Sequence, residues 1–168
     1  MKKAVISPIR RGSLYKTKAQ TVGCLLFGNT GCGKTLLAHS VLGECKGWAN
    51  ILVVQSSDWM SKWAGDSQKF IDNTFAFASN IGPSIIYLEE AEHLFQERLG
   101  SKDKSESLEG IQNSLLQNFD LLRKGNRRTF FICCSNFPDA MDPSFLRRLQ
   151  VKLRDNTSDD IYFTRLGC

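Results

Sequence analysis

The apolar residues of this 168-residue chain fall into short unbroken runs, separated by longer stretches of helical period. Four runs show no polar alternation: Cys24-Leu25-Leu26-Phe27, Ile51-Leu52-Val53-Val54, Ser84-Ile85-Ile86-Tyr87-Leu88 and Thr129-Phe130-Phe131-Ile132-Cys133-Cys134. Strands covered on both faces read this way, as in a parallel sheet. Val151-Lys152-Leu153 reads as a fifth, edge strand. Helical period marks Leu36–Leu42, a stretch capped by Asp66 and continuing through Phe70, Ile71, Phe75 and Phe77 to Ala78, and Leu108–Leu122 with Ile111, Leu115 and Leu122 on one side. Phe70 and Phe77 lie one heptad apart and are expected to form a core-facing stripe. Shorter helices are expected at Ala91–Arg98 and from Pro143 onward. Gly and Pro punctuate the chain at Asn80-Ile81-Gly82-Pro83, at Gly125-Asn126-Arg127-Arg128 and at Pro138. Lys3–Ile9 reads as a helix end, Gly12–Thr21 as a polar loop, Gly43–Asn50 as a connection and Leu99–Glu106 as a charged loop. Alternating strands and helices predict an α/β fold: a five-stranded, mostly parallel sheet sandwiched between helices. Residues 1–168 form one domain in this reading, with a basic lead-in at 1–21 and a polar tail at 154–168.

Composition adds limits. An apolar share of 42% is enough for one good core, and no apolar run reaches the length of a membrane span. The net charge of +5 is unevenly placed. No acidic residue precedes Glu44, whereas Lys2, Lys3, Arg10, Arg11, Lys16, Lys18 and Lys34 all do. A basic stretch can bind nucleic acid or acidic lipid; a solubilising face plus one phosphate-binding lysine accounts for it more simply. The six cysteines form no C-x-x-C pair and no zinc-type spacing. Reduced thiols in a cytoplasmic protein are the expectation.

The stretch Gly28-Asn29-Thr30-Gly31-Cys32-Gly33-Lys34-Thr35 fits G-x-x-x-x-G-K-[ST]. It follows an apolar run and opens a helix at Leu36, the context a phosphate-binding loop requires. Its glycines let the chain wrap inward, so that N–H groups and the helix N-terminus face phosphate oxygens. Lys34 brings positive charge to the β- and γ-phosphates, and Thr35 offers a hydroxyl to Mg²⁺. Cys32 reads as a small filler, with thiol reactivity as the alternative. The third strand ends in Glu89 and Glu90, and the fourth delivers Ser135 and Asn136. Ligands of open parallel sheets gather at such strand ends. Trp59 and Trp63 lie in a stretch, Ser56–Gly65, otherwise polar enough to be exposed.

The phosphate loop is followed in order by Ser-Lys-Trp-Ala-Gly-Asp-Ser (61–67), Ile-Ile-Tyr-Leu-Glu-Glu-Ala-Glu (85–92), Cys-Ser-Asn-Phe-Pro-Asp (134–139) and Met-Asp-Pro-Ser-Phe-Leu-Arg-Arg (141–148). This series resembles the AAA+ ATPases, and within them the AAA group of katanin, spastin, fidgetin and the vacuolar-sorting ATPases, from about Ala4 to Leu153. The resemblance implies a P-loop NTPase fold, ATP and Mg²⁺ as ligands, and ATP hydrolysis coupled to remodelling or threading of a protein substrate. It places Gly28–Leu36 around the phosphates and Thr35 and Glu89 at the metal. Glu90 becomes the carboxylate that polarises water, and Asn136 the polar sensor beside the γ-phosphate. Arg147 and Arg148 fall in the arginine-finger region, which the resemblance implies reaches the nucleotide of the next subunit in a ring, a hexamer in the complete protein. Lys62, Trp63 and Ala64 match the pore loop that grips polypeptide. The resemblance implies protein rather than nucleic acid as the partner.

The chain departs from the family pattern in three places. Glu89 stands where the family has Asp, setting the carboxylate outward by about a bond length in a site where Mg²⁺ demands near-ideal geometry. Leu149-Gln150 follows the two arginines in place of further arginine or glycine. The family's small helical lid, expected after the fifth strand, and its segment upstream of Ala4 are absent from the sequence as read. A second reading is therefore a non-hydrolysing adapter that docks on complete AAA subunits.

Overall fold

The computed structural model describes residues 23–60, 64–95, 106–124, 129–149, 151–154 and 162–165. One six-stranded sheet organises them, in the order β2-β3-β4-β1-β5-β6. Its strands are β1 (Gly23–Phe27), β2 (Asn50–Gln55), β3 (Ser84–Glu89), β4 (Thr129–Ser135), β5 (Val151–Arg154) and β6 (Tyr162–Arg165). All pairings are parallel except β5 with β6. The sixth strand lies in the stretch read from sequence as polar tail. The helices are α1 (Lys34–Cys45), α2 (Ser56–Trp59), α3 (Ala64–Asn80), α4 (Glu92–Phe95), α5 (Glu106–Lys124) and α6 (Pro143–Arg148), with a 3₁₀ turn at Pro138–Ala140. The expected features at Lys3–Ile9, Gly12–Thr21, Gly125–Arg128 and most of Leu99–Glu106 lie outside the described residues.

Two apolar layers flank the sheet. On one face α1 packs Ala38, Val41, Leu42 and Cys45 against Leu26, Ile85, Tyr87 and Ile132. On the other, α3 to α6 cover Leu25, Ile86, Leu88, Phe131 and Cys133. Central strand β4 is buried along its whole length. Phenylalanines dominate the second layer: Phe119 meets Phe131 edge-on at 4.9 Å between ring centroids, and Phe95 stacks on Phe145 at 4.3 Å. Such contacts add about 0.5–1.5 kcal/mol each beyond area burial.

The buried face of α3 differs from the expected stripe. Ile71, Phe75 and Ala78 are buried together with Ser67, whereas Phe70 and Phe77 are about half exposed. The i, i+4, i+7 row from Ile71 faces the core, and the heptad pair lies on its flank. Asp66 sits in the first turn rather than at the cap, because the helix begins at Ala64. Trp59 is also corrected: it is fully buried and packs 6.2 Å from Phe75. Helix α2, whose Asp58 accepts from the Gln55 N–H at 2.9 Å, turns the tryptophan inward.

Candidate site at the strand tips

The parallel register brings three strand ends together. Phe27 at the end of β1 pairs with Ser135 at the end of β4, and Leu88 on β3 pairs with Cys133. The phosphate loop, Asn136 and the Glu89-Glu90 pair therefore follow three adjacent strands at one edge of the sheet.

In the loop, Gly31 (φ 82°) and Gly33 (φ 96°) hold left-handed conformations that a β-carbon would strain. Gly33 precedes α1, and its carbonyl accepts the first helical bond, from Leu37 N at 2.8 Å. The first N–H groups of a helix have no partner within it, which leaves those at the start of α1 as donors for an anion. Lys34 is buried at 8% exposure, with Nζ donating to the carbonyls of Gly28 (3.0 Å) and Asn29 (2.7 Å) and lying 3.6 Å from the Cys32 sulfur. Thr35 and Leu36 are exposed. Helix-start amides beside one ammonium suit a polyphosphate.

Glu89 is partly buried, with Oε1 3.5 Å from His39 Nε2, so α1 reaches across to the tip of β3. His39 also meets Tyr87 edge-on. Glu90 is exposed in the left-handed region (φ 54°), the one non-glycine residue with positive φ among those described. The next residue ties the two tips together: Ala91 N–H donates to the Cys134 carbonyl at 2.9 Å. Glu92 then accepts from Asn136 Nδ2 at 3.1 Å. Burial pushes the Cys134 thiol up to about 11, and the charges of Lys34, Glu89 and Glu92 all reach it. Hydroxyl and carboxylate oxygens are the donors a hard cation such as Mg²⁺ takes, and Thr35 and Glu89 are of that donor type.

The two arginines separate. Asp142 caps α6, accepting from Ser144 N at 2.7 Å, with Pro143 in the first turn. Arg148 is then pinned within the chain: Nε and Nη2 take both oxygens of Asp120 at 2.9 and 2.7 Å, and Nη1 donates to the Ser144 carbonyl. Arg147 is exposed. Of the three expected pore-loop residues, Lys62 and Trp63 lie outside the described residues and Ala64 opens α3. Sequence reasoning missed His39, Glu92 and Asp120. Glu92 had a signal in the run Glu-Glu-Ala-Glu; Asp120 is 28 residues from its partner and had none.

Residues 24–156 match the family described as "ATPase family associated with various cellular activities (AAA)". The chain belongs to this family. A spastin homologue of Caenorhabditis elegans is 36% identical over 162 residues, which are 95% of this AAA chain and 31% of that protein. Human vacuolar protein sorting-associated protein 4A is 34% identical over 154 residues, 91% of this chain and 35% of that one. A crystal structure of the FIGL-1 AAA domain superposes with a TM-score of 0.74 at 26% identity, covering 92% of this chain and 49% of that one. This AAA chain thus spans about a third of the length of the curated relatives it matches. Among the described residues, no helix is long and apolar enough to cross a membrane.

Proposed function

We propose that this AAA chain binds ATP with Mg²⁺ at the strand tips and hydrolyses it by direct attack of water, as one subunit of a cytoplasmic AAA assembly, a hexamer, that remodels or threads a protein substrate. The observation that carries the reading is the convergence of phosphate loop, Glu89-Glu90 and Asn136 on three adjacent parallel strand ends. The loop amides and Lys34 hold the phosphates, and Lys34 exchanges its loop carbonyls for phosphate oxygens. Thr35 and Glu89 would hold Mg²⁺, which would supply neutralisation of the phosphate charge. Glu90 polarises the attacking water, and Asn136 orients it. Arg147 is the finger directed at a neighbouring subunit's nucleotide, because Arg148 is engaged by Asp120. The protein-substrate part of the reading rests on the Lys62-Trp63-Ala64 resemblance.

Glu90→Gln tests the hydrolytic part. It should leave nucleotide affinity within about twofold and lower turnover at least about a hundredfold. Because the finger acts in trans, turnover per subunit should rise with protein concentration. Vigorous, concentration-independent hydrolysis by a verified monomer would refute that. The adapter reading is favoured by Glu89 in the place of Asp, with its carboxylate beside His39. An adapter would show the same negligible turnover in the wild type and in Glu90→Gln.

A further inference from the structure

One carboxylate at the strand tips has no role in the scheme above. Glu92 is buried at 8% exposure. Its Oε1 accepts from Asn136 Nδ2 at 3.1 Å, and its Oε2 is buried with no hydrogen-bond partner among the described residues. The side chain's polar attachment therefore runs through Asn136. A buried carboxylate with one hydrogen bond is costly to keep. A fold selected for stability alone would place an apolar residue there. The bond also bridges two different strand tips, in parallel with the Ala91-to-Cys134 backbone link. Glu90 stands one residue before that link, in its left-handed conformation.

The chemistry of the pair decides what the bridge can do. A planar amide carries a donor on one arm and an acceptor on the other, and a half-turn of the group exchanges them. An ionised carboxylate accepts only, so Glu92 selects the Nδ2 arm of Asn136. Oδ1 is then turned away from Glu92 as a fixed acceptor. Water attacking a phosphorus atom directs a lone pair at it and its protons elsewhere. An acceptor at Asn136 takes one of those protons, whereas an amino group in the same place would compete for the attacking lone pair. We propose that Glu92 is a positioning residue that locks the amide of Asn136 with Oδ1 presented to the attacking water. This rests on the ATPase reading given above.

The test uses the full chain as wild type, Glu92→Gln, Asn136→Ala and the double variant. Gln is similar in size but both donates and accepts, so it no longer selects one amide orientation. Fluorescent ATP-analogue binding with Mg²⁺, steady-state turnover, thermal melting and the side-chain amide ¹⁵N–¹H signals of Asn136 are measured. Glu92→Gln is expected to melt like the wild type, to bind within about twofold, and to lower kcat about tenfold or more. It should add little to the loss already caused by Asn136→Ala, since coupled residues are not additive. The Asn136 amide pair should shift or broaden. An unchanged kcat, or a loss that adds in full to that of Asn136→Ala, overturns the proposal. If the wild type binds ATP but does not turn it over, the hydrolytic reading fails by itself. The Asn136 signals still decide the pairing in that case: a shift in Glu92→Gln supports it, and unchanged signals overturn it.

Discussion

At the scale of single residues, Glu90, proposed above to polarise the attacking water, sets stability against chemistry. A side chain in the left-handed region costs about 1 kcal/mol relative to the right-handed one, and Glu90 holds φ 54°. Replacing it by glycine should therefore raise the melting temperature by about 2–4 °C while abolishing turnover. Calorimetry and an ATPase assay on the same sample check both halves. The cysteines divide along similar lines. Burial pushes Cys24 up to about 12 and Cys133 well above its ordinary value. At neutral pH these two and Cys134 should resist a thiol reagent until the chain unfolds, whereas half-buried Cys32 should react in the native state. Mass mapping of labelled peptides before and after denaturation distinguishes the two groups.

At the scale of elements, helix α3 shows which pattern wins. Phe75→Ala should cost about 3–5 kcal/mol, because Phe75 stacks on Phe131 and meets Phe119 edge-on. Phe77→Ser should stay within about 0.5 kcal/mol of neutral; urea titration of both variants tests the contrast. The α5–α6 contact has its own signature. The Arg148 guanidinium holds the Asp120 carboxyl below its usual value. A group depressed in this way contributes stability above its unfolded pKa, about 3.9, and loses it as pH falls through the lower folded value. With side chains 24% and 39% exposed, Asp120→Asn should cost at most about 1 kcal/mol at neutral pH. The gap to wild type should close below about pH 4. The four apolar strands and the helices between them were legible because buried parallel strands leave unbroken apolar runs. Helix α3 misled because apolar residues occupy both sides of it, so the heptad pair competed with the Ile71 row. Trp59 misled because polar neighbours say nothing of a side chain turned inward by one helical turn. Strand β6 escaped because a short antiparallel edge strand of mixed polarity carries no run.

At the scale of the whole molecule, the sheet order decides where chemistry can occur. Placing β4 between β1 and β3 sets the polar end of one strand between a cationic loop and an acidic tip. The motifs marked the residues of this edge, and the roles proposed for them come from the resemblance. The long-range partners, Glu92 for Asn136 and Asp120 for Arg148, required the folded chain. The exposed arginine of α6 belongs to this scale too. Arg147→Ala should leave ATP affinity unchanged and reduce concentration-dependent turnover by about a thousandfold, whereas Arg148→Ala should lower the melting temperature without that loss of turnover. Turnover measured across a protein dilution series, alongside melting curves, separates the two.

Lys34 makes the cradle self-contained, since its ammonium rests on the carbonyls of Gly28 and Asn29. On the proposed reading, capture of a triphosphate would for that reason be a swap of oxygens around one nitrogen. The same two carbonyls would then take the ammonium back after the reaction, so the loop itself would compete with the departing product and help to clear the site for the next turnover.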